Sequence, residues 1–143
     1  MSTRFVASVL VAAVFLFASG GVLFAVVLAD YFRHAMGHLV RPPEDFRMGI
    51  VILEKLVQAF LLAVLYARVP RTRSTVMHGL AVGMGAGLLL ELPWGLSLYG
   101  NYPVAASAAV VFATLDFARI VVAVMLIAWV QRVARASGVK PQT

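Results

Sequence analysis

FVASVLVAAVFLFASGGVLFAVVLA, residues 5–29, runs for 25 residues without a charge. A helix of about 20 apolar residues crosses the hydrocarbon core of a bilayer, so this stretch reads as a membrane span. Three more of the same kind follow at 49–67, 76–98 and 104–130. Apolar residues make up 62% of the chain and charged residues 13%, and the mean hydropathy is +0.95. That composition lies far outside the soluble globular range. The expected fold is all-α: a polytopic membrane protein, 1–143 as a single domain, with four transmembrane helices in an antiparallel bundle.

The formal charge of +6 would suggest nucleic acid in a soluble chain, but the placement of the charges argues against it. Arg4, Arg68, Arg71, Arg73, Arg132, Arg135 and Lys140 fall on one side of the spans, and Arg33, Arg41 and Arg47 on the other. The positive-inside rule then places both termini and the middle loop in the cytoplasm, as for a protein of the bacterial inner membrane. The basic residues also suit anionic headgroups of the lipid bilayer. No cysteine is present, which excludes thiolate ligation and disulfide chemistry within the chain. Arg4 and Ala18-Ser19-Gly20 imitate a signal peptide, yet the apolar run continues well past the usual h-region of about 7–15 residues. The first span is therefore expected to be retained.

The largest connection is 30–48. Its first part can prolong the first helix until Pro42-Pro43 stops it, and Pro43-Glu44-Asp45 reads as an acidic helix start. Pro70 interrupts the arginine-rich loop 68–74, and Gly100-Asn101-Tyr102-Pro103 reads as a tight turn with Pro103 opening the last helix. Tyr31, Trp94, Tyr99 and Tyr102 would form the outer aromatic belt, and Tyr66 and Trp129 the inner one. A weak two-hairpin repeat is suggested by the acids: Asp30 and Glu54 are 24 residues apart, Glu91 and Asp116 are 25 apart.

Gly79, Gly83 and Gly87 recur every four residues, and Glu91 and Gly95 continue the series. This glycine-zipper spacing lets helix backbones approach closely. Ala105, Ala109 and Ala113 offer a partner stripe in the fourth span, although the same glycine face would also serve a homo-oligomer or a larger membrane complex.

Carboxylates within membrane spans are costly and mark functional sites by default. At 1.5 Å rise per residue, Glu54 lies about 8 Å and Glu91 about 10 Å below the outer boundary, with Asp116 near ~18 Å. Glu91, Glu54 and Asp116 are thus candidate ion-binding or ligand-binding residues in an externally open vestibule. Arg119 stands one turn from Asp116, where the two can pair. Lys55 is expected to snorkel outward along its apolar stem. Pro93, two residues beyond Glu91, removes a backbone donor beside the carboxylate. His78, at the start of the third span, is expected at the interface.

Asp30, His34 and His38 follow at four-residue intervals and would share a helix face. Such a pair of histidines with a carboxylate can bind a divalent metal or copper, and a solvated, pH-responsive face is the competing reading. The serines lack a neighbouring base or glycine elbow, so no catalytic signature is present. In length and span count alone the chain resembles the small multidrug exporters. Their key glutamate stands in the first span, which here is uncharged before Asp30, so no family is assigned. Three functions fit: binding or transport of a proton, metal ion or organic cation; a non-catalytic accessory subunit; or a metal-dependent membrane enzyme acting on lipid. The acids favour the first.

Overall fold

The computed structural model describes residues 2–39, 45, 47–70 and 74–136, with 38 and 134–136 described by backbone alone. Every regular element among them is helical. α1 (Thr3–Val22) is capped by Ser2, whose Oγ accepts the Phe5 N–H at 3.4 Å. It passes into a π-helical turn, Leu23–Val27, and then α2 (Ala29–Met36) and a 3-10 turn, Gly37–Leu39. α3 (Met48–Arg68), α4 (Thr75–Asn101) and α5 (Ala106–Ala136) complete the chain. Four helical stretches, Thr3–Val27, Met48–Arg68, Thr75–Asn101 and Ala106–Val133, are long and apolar enough to cross a membrane.

The element boundaries depart from the sequence expectations in three places. The first helix does not run straight into the 30–48 connection. The Leu28 N–H reaches back five residues to the Leu23 carbonyl at 2.8 Å, and Leu28 itself leaves the helical region at φ −112°, ψ 17°. π turns are recognised sites of helix bending, and α2 is the separate element that results. α3 opens at Met48 and not at Pro43; Pro42, Pro43 and Glu44 lie outside the described residues, as do Arg41, Arg71, Arg73 and Lys140. Finally, Gly100 and Asn101 belong to α4, and α5 begins three residues beyond Pro103. Asn101 Nδ2 donates to Ser97 Oγ at 3.0 Å, one turn back, which ties down the extra turn. Pro93 lies inside α4, which stays helical through it.

Two apolar clusters hold the helices. In the larger, Ala12 and Leu16 of α1 meet Ala63 and Tyr66 of α3 and Val124 and Ile127 of α5. Small side chains dominate it, as expected where close van der Waals packing replaces a hydrophobic driving force between helices. The smaller cluster docks amphipathic α2: Phe32 and Met36 bury against Leu98, Val104 and Ala108, while Asp30, Tyr31, Arg33 and His34 stay exposed. The Phe24 ring stacks on Phe112 at 5.1 Å, and Phe32 stands edge-on to both. α4 packs most extensively on α5, and α1 packs on both α5 and α3, whereas α3 and α4 touch little.

Two expected interfacial residues are instead interior. Tyr66 is fully buried and His78 is 4% exposed, with their rings 5.0 Å apart. Both side chains are enclosed by the bundle and do not face outward as belt residues would. Trp129, Tyr31, Trp94, Tyr99 and Tyr102 are exposed.

The α4–α5 contact is made at glycines. A Cβ at Gly79 would stand 2.9 Å from Ala128 Cβ, and one at Gly95 2.8 Å from Ala113 Cβ. At Gly87 it would meet the Phe117 ring at 2.6 Å, and at Gly83 the Cα and carbonyl oxygen of Val121 at 3.0 and 3.2 Å. Of the alanines expected as partners, Ala109 and Ala113 meet Gly95 and Ala105 is exposed. Gly83 faces backbone, which cannot rotate away. Gly83→Leu should therefore lower the detergent melting temperature by several degrees, in keeping with roughly 1–3 kcal/mol for overpacking. Gly85→Leu should leave it unchanged, because nothing lies within 4 Å of a Cβ there. Equal melting temperatures for both variants would contradict this packing.

Candidate functional site

Because α3 and α4 scarcely touch, a cleft of about 1030 Å³ opens between them, with Phe112 and Asp116 of α5 as part of its lining. Three acids placed far apart in sequence line it together: Glu54 from α3, Glu91 from α4 and Asp116 from α5. Their helices explain the convergence. Glu91 occupies the same face of α4 as Gly87 and Gly95, one turn from each, so the contact that presses those glycines onto α5 turns Glu91 inward. Asp116 lies one residue before Phe117, the ring that Gly87 meets.

Two of the three acids are matched by cations. Lys55 Nζ donates to Glu54 Oε1 at 2.8 Å. Lys55 does not snorkel outward as expected: its side chain is 18% exposed, against 58% for Glu54, and it lines the cleft. Asp116 pairs with Arg119 on the same helix. The guanidinium also donates from Nε to Ser19 Oγ at 3.0 Å and from Nη2 to the Leu16 carbonyl, and its carbon sits 5.4 Å from the Phe24 ring centroid. Arg119 thus lies behind the cleft and ties α5 to α1. A Cβ at Gly20 would come within 2.6 Å of its Nη2.

Glu91 is different. It is 8% exposed, yet its carboxylate has no hydrogen-bonded or ion-paired partner among the described residues. Charges withdrawn from water are normally paired, and this carboxylate, on a side chain largely enclosed by the bundle but facing the open cleft, is placed to take up a positive group. Three carboxylates against two cations leave one negative charge in excess when all are ionised, and the pairing assigns it to Glu91.

Several cleft residues were not singled out from sequence. Gln58 lines it, with a buried Oε1 that has no partner among the described residues. A glutamine one turn after Glu54 in an apolar span was a visible signal for it. Trp94 and Phe112 also line the cleft, and nothing in their spacing distinguishes them from belt and core aromatics.

Asp30 and His34 lie elsewhere, at a shallow hollow between α2 and the start of α5. The Asp30 carboxylate faces Arg33 at 3.4 Å, and His34 Nδ1 lies 2.7 Å from the Asp30 carbonyl oxygen. The His38 side chain lies outside the described residues. Among the described residues no three His, Cys, Asp or Glu side chains converge as a metal site would require. No protein-family model, curated protein or solved structure matches the chain.

The Asp116–Arg119 pair supplies a test of how the site is supported. Removing one partner of a buried pair costs about 3–5 kcal/mol because it strands the other charge. Arg119→Ala should therefore lower the melting temperature more than the double change Asp116→Asn with Arg119→Gln. Equal losses would show that the two side chains do not depend on each other.

Proposed function

We propose that this chain is a small integral membrane protein that binds a cation at Glu91, and that cation binding or transport is its role. The bundle is read as antiparallel with both termini cytoplasmic, in a bacterial inner membrane, so that the acidic end of the cleft opens outward. The single observation that carries this reading is the unpartnered Glu91 carboxylate, on a largely enclosed side chain, facing a cleft whose other acids are already paired. A residue serving only to hold helices together gains nothing from an unmatched charge in a low-dielectric interior, where desolvation opposes it. A ligand cation would supply the missing partner through a charge-assisted hydrogen bond or an ionic contact. Lys55 and Gln58, on the opposite wall, border the same space and would set how large a positive charge the site tolerates.

Glu91→Gln keeps the shape of the side chain and removes its charge. In mild detergent, a panel of monovalent and divalent metal ions and organic amines should contain members that raise the melting temperature of the parent protein, as expected for any ligand that binds only the folded state. Glu91→Gln should fold and insert normally and lose those shifts, with Glu54→Gln giving a weaker loss. Should Glu91→Gln respond as the parent does, the carboxylate is a packing residue and the chain is better read as an accessory subunit. The orientation is tested separately: reporters fused after Arg71 or at the C-terminus should read cytoplasmic and one after Pro43 external.

A further inference from the structure

The cleft carries more chemistry than a bare charge requires. We infer that it takes an amphipathic organic monocation, with the ammonium group on Glu91 and an apolar tail along the leucine-lined wall of α3; this rests on the cation-binding reading above and deepens it. Three observations support that ligand class over an inorganic ion.

The first is size. At about 1030 Å³ the cleft stands at the top of the range of about 300–1,000 Å³ typical of pockets for drug-sized ligands. A metal ion would leave nearly all of it empty. The second is the donor set. Divalent ions take several oxygen ligands at once, but Glu54 and Asp116 are committed to Lys55 and Arg119, and among the described residues no three metal-ligating side chains come together. One free carboxylate matches one positive charge. Trp94, one turn beyond Glu91 on α4, also lines the cleft, and an indole ring there can receive an ammonium group.

The third is the direction of the apolar wall. On α3 the lining continues past Gln58 through Leu61 and Leu65, carrying the groove about 18 Å along the helix from Leu53 to Leu65 at 1.5 Å per residue. Leu53, Leu61 and Leu89 on its rim are 60%, 58% and 75% exposed within the bundle. The opening between α3 and α4 is thus bordered by side chains of the kind that face lipid, and a ligand already dissolved in the bilayer can enter from the side. Its tail would bring the ammonium to the depth of Glu91, which a small hydrated cation reaches only from the aqueous end.

The test uses the full chain in phosphatidylcholine nanodiscs, whose lipids carry no primary amine. Binding of decylammonium, ethylammonium and uncharged decanol is measured to the parent, to Glu91→Gln and to Leu61→Trp, which fills the tail groove. Only the part of each signal lost in Glu91→Gln is counted, so that simple partition into the disc cancels. With affinities referred to the amount of each amine in the lipid phase, so that transfer of the tail out of water does not count, decylammonium should still bind at least tenfold more tightly than ethylammonium, through the fit of its tail to the groove. Decanol should not compete, and Leu61→Trp should weaken decylammonium at least tenfold. If Glu91-dependent binding is equal for the two amines, or if Leu61→Trp leaves decylammonium untouched, the site takes a small cation and the tail groove is unused; the function reading survives and this inference does not. If no cation at all binds in a Glu91-dependent way, both fail. Were Glu91→Gln not to insert, decanol in place of decylammonium gives the same subtraction, and Leu61→Trp still decides whether the tail occupies the groove.

Discussion

The close approach of α4 to α5 governs most of what is distinctive in this molecule. Gly83 brings one backbone against another, and Gly79, Gly87 and Gly95 keep the two helices together over successive turns. In lipid this contact has no hydrophobic driving force behind it and depends on dispersion between well-fitted surfaces. Its geometric consequence reaches the fourth member of the series. Glu91 replaces a glycine on the same stripe, so the face that makes helix contact also carries the carboxylate inward. Because α4 commits its small-residue face to α5, little of it is left for α3, and the space between α3 and α4 stays open.

The charges around that space follow from the cost of ionised groups in an apolar interior. Lys55 is the informative case. A lysine in the second turn of an apolar helix ordinarily extends toward water, yet here it lines the cleft, paired with one acid and sharing the lining with two others. Arg119 neutralises Asp116 from behind the cleft, one turn along the same helix, and spends its remaining donors on Ser19 and the Leu16 carbonyl of α1. The guanidinium fork suits that task because it can reach three acceptors on two helices at once. Glu91 lacks such a neighbour, which is what sets it apart from an ordinary structural ion pair.

Span number and rough boundaries could be read from the chain alone because uninterrupted apolar length is a property of sequence. The Asp116–Arg119 pairing was visible for a similar reason: residues three apart on one helix are neighbours in any fold. What could not be read depends on which helices meet. A vestibule shared by the acids could be expected from their depths, but no local pattern says that α3 and α4 stand apart, so the extent of the cleft and the place of Phe112 in it were not visible. Tyr66 and His78 look interfacial by position, yet both are enclosed by the bundle, with their rings 5.0 Å apart. The break at Leu28 was hidden too, since a π turn differs from an α turn by one residue and carries no composition of its own. The alanine stripe of α5 was a partial guide: at Gly83 and Gly87 the partners are a valine backbone and a phenylalanine ring, against which only the absence of a Cβ mattered.

Gly20 and Arg119 fit each other closely, so a change at one bears on the other. The guanidinium occupies the place where a Cβ on residue 20 would stand, and the same guanidinium neutralises Asp116 and satisfies α1. A side chain at position 20 would push the guanidinium aside, at the expense of the contacts it makes with Asp116, Ser19 and the Leu16 carbonyl. Among related chains the three positions should vary in concert, with glycine, aspartate and arginine kept together or replaced together, so that sequence covariation across positions 20, 116 and 119 would record a contact between α1 and α5.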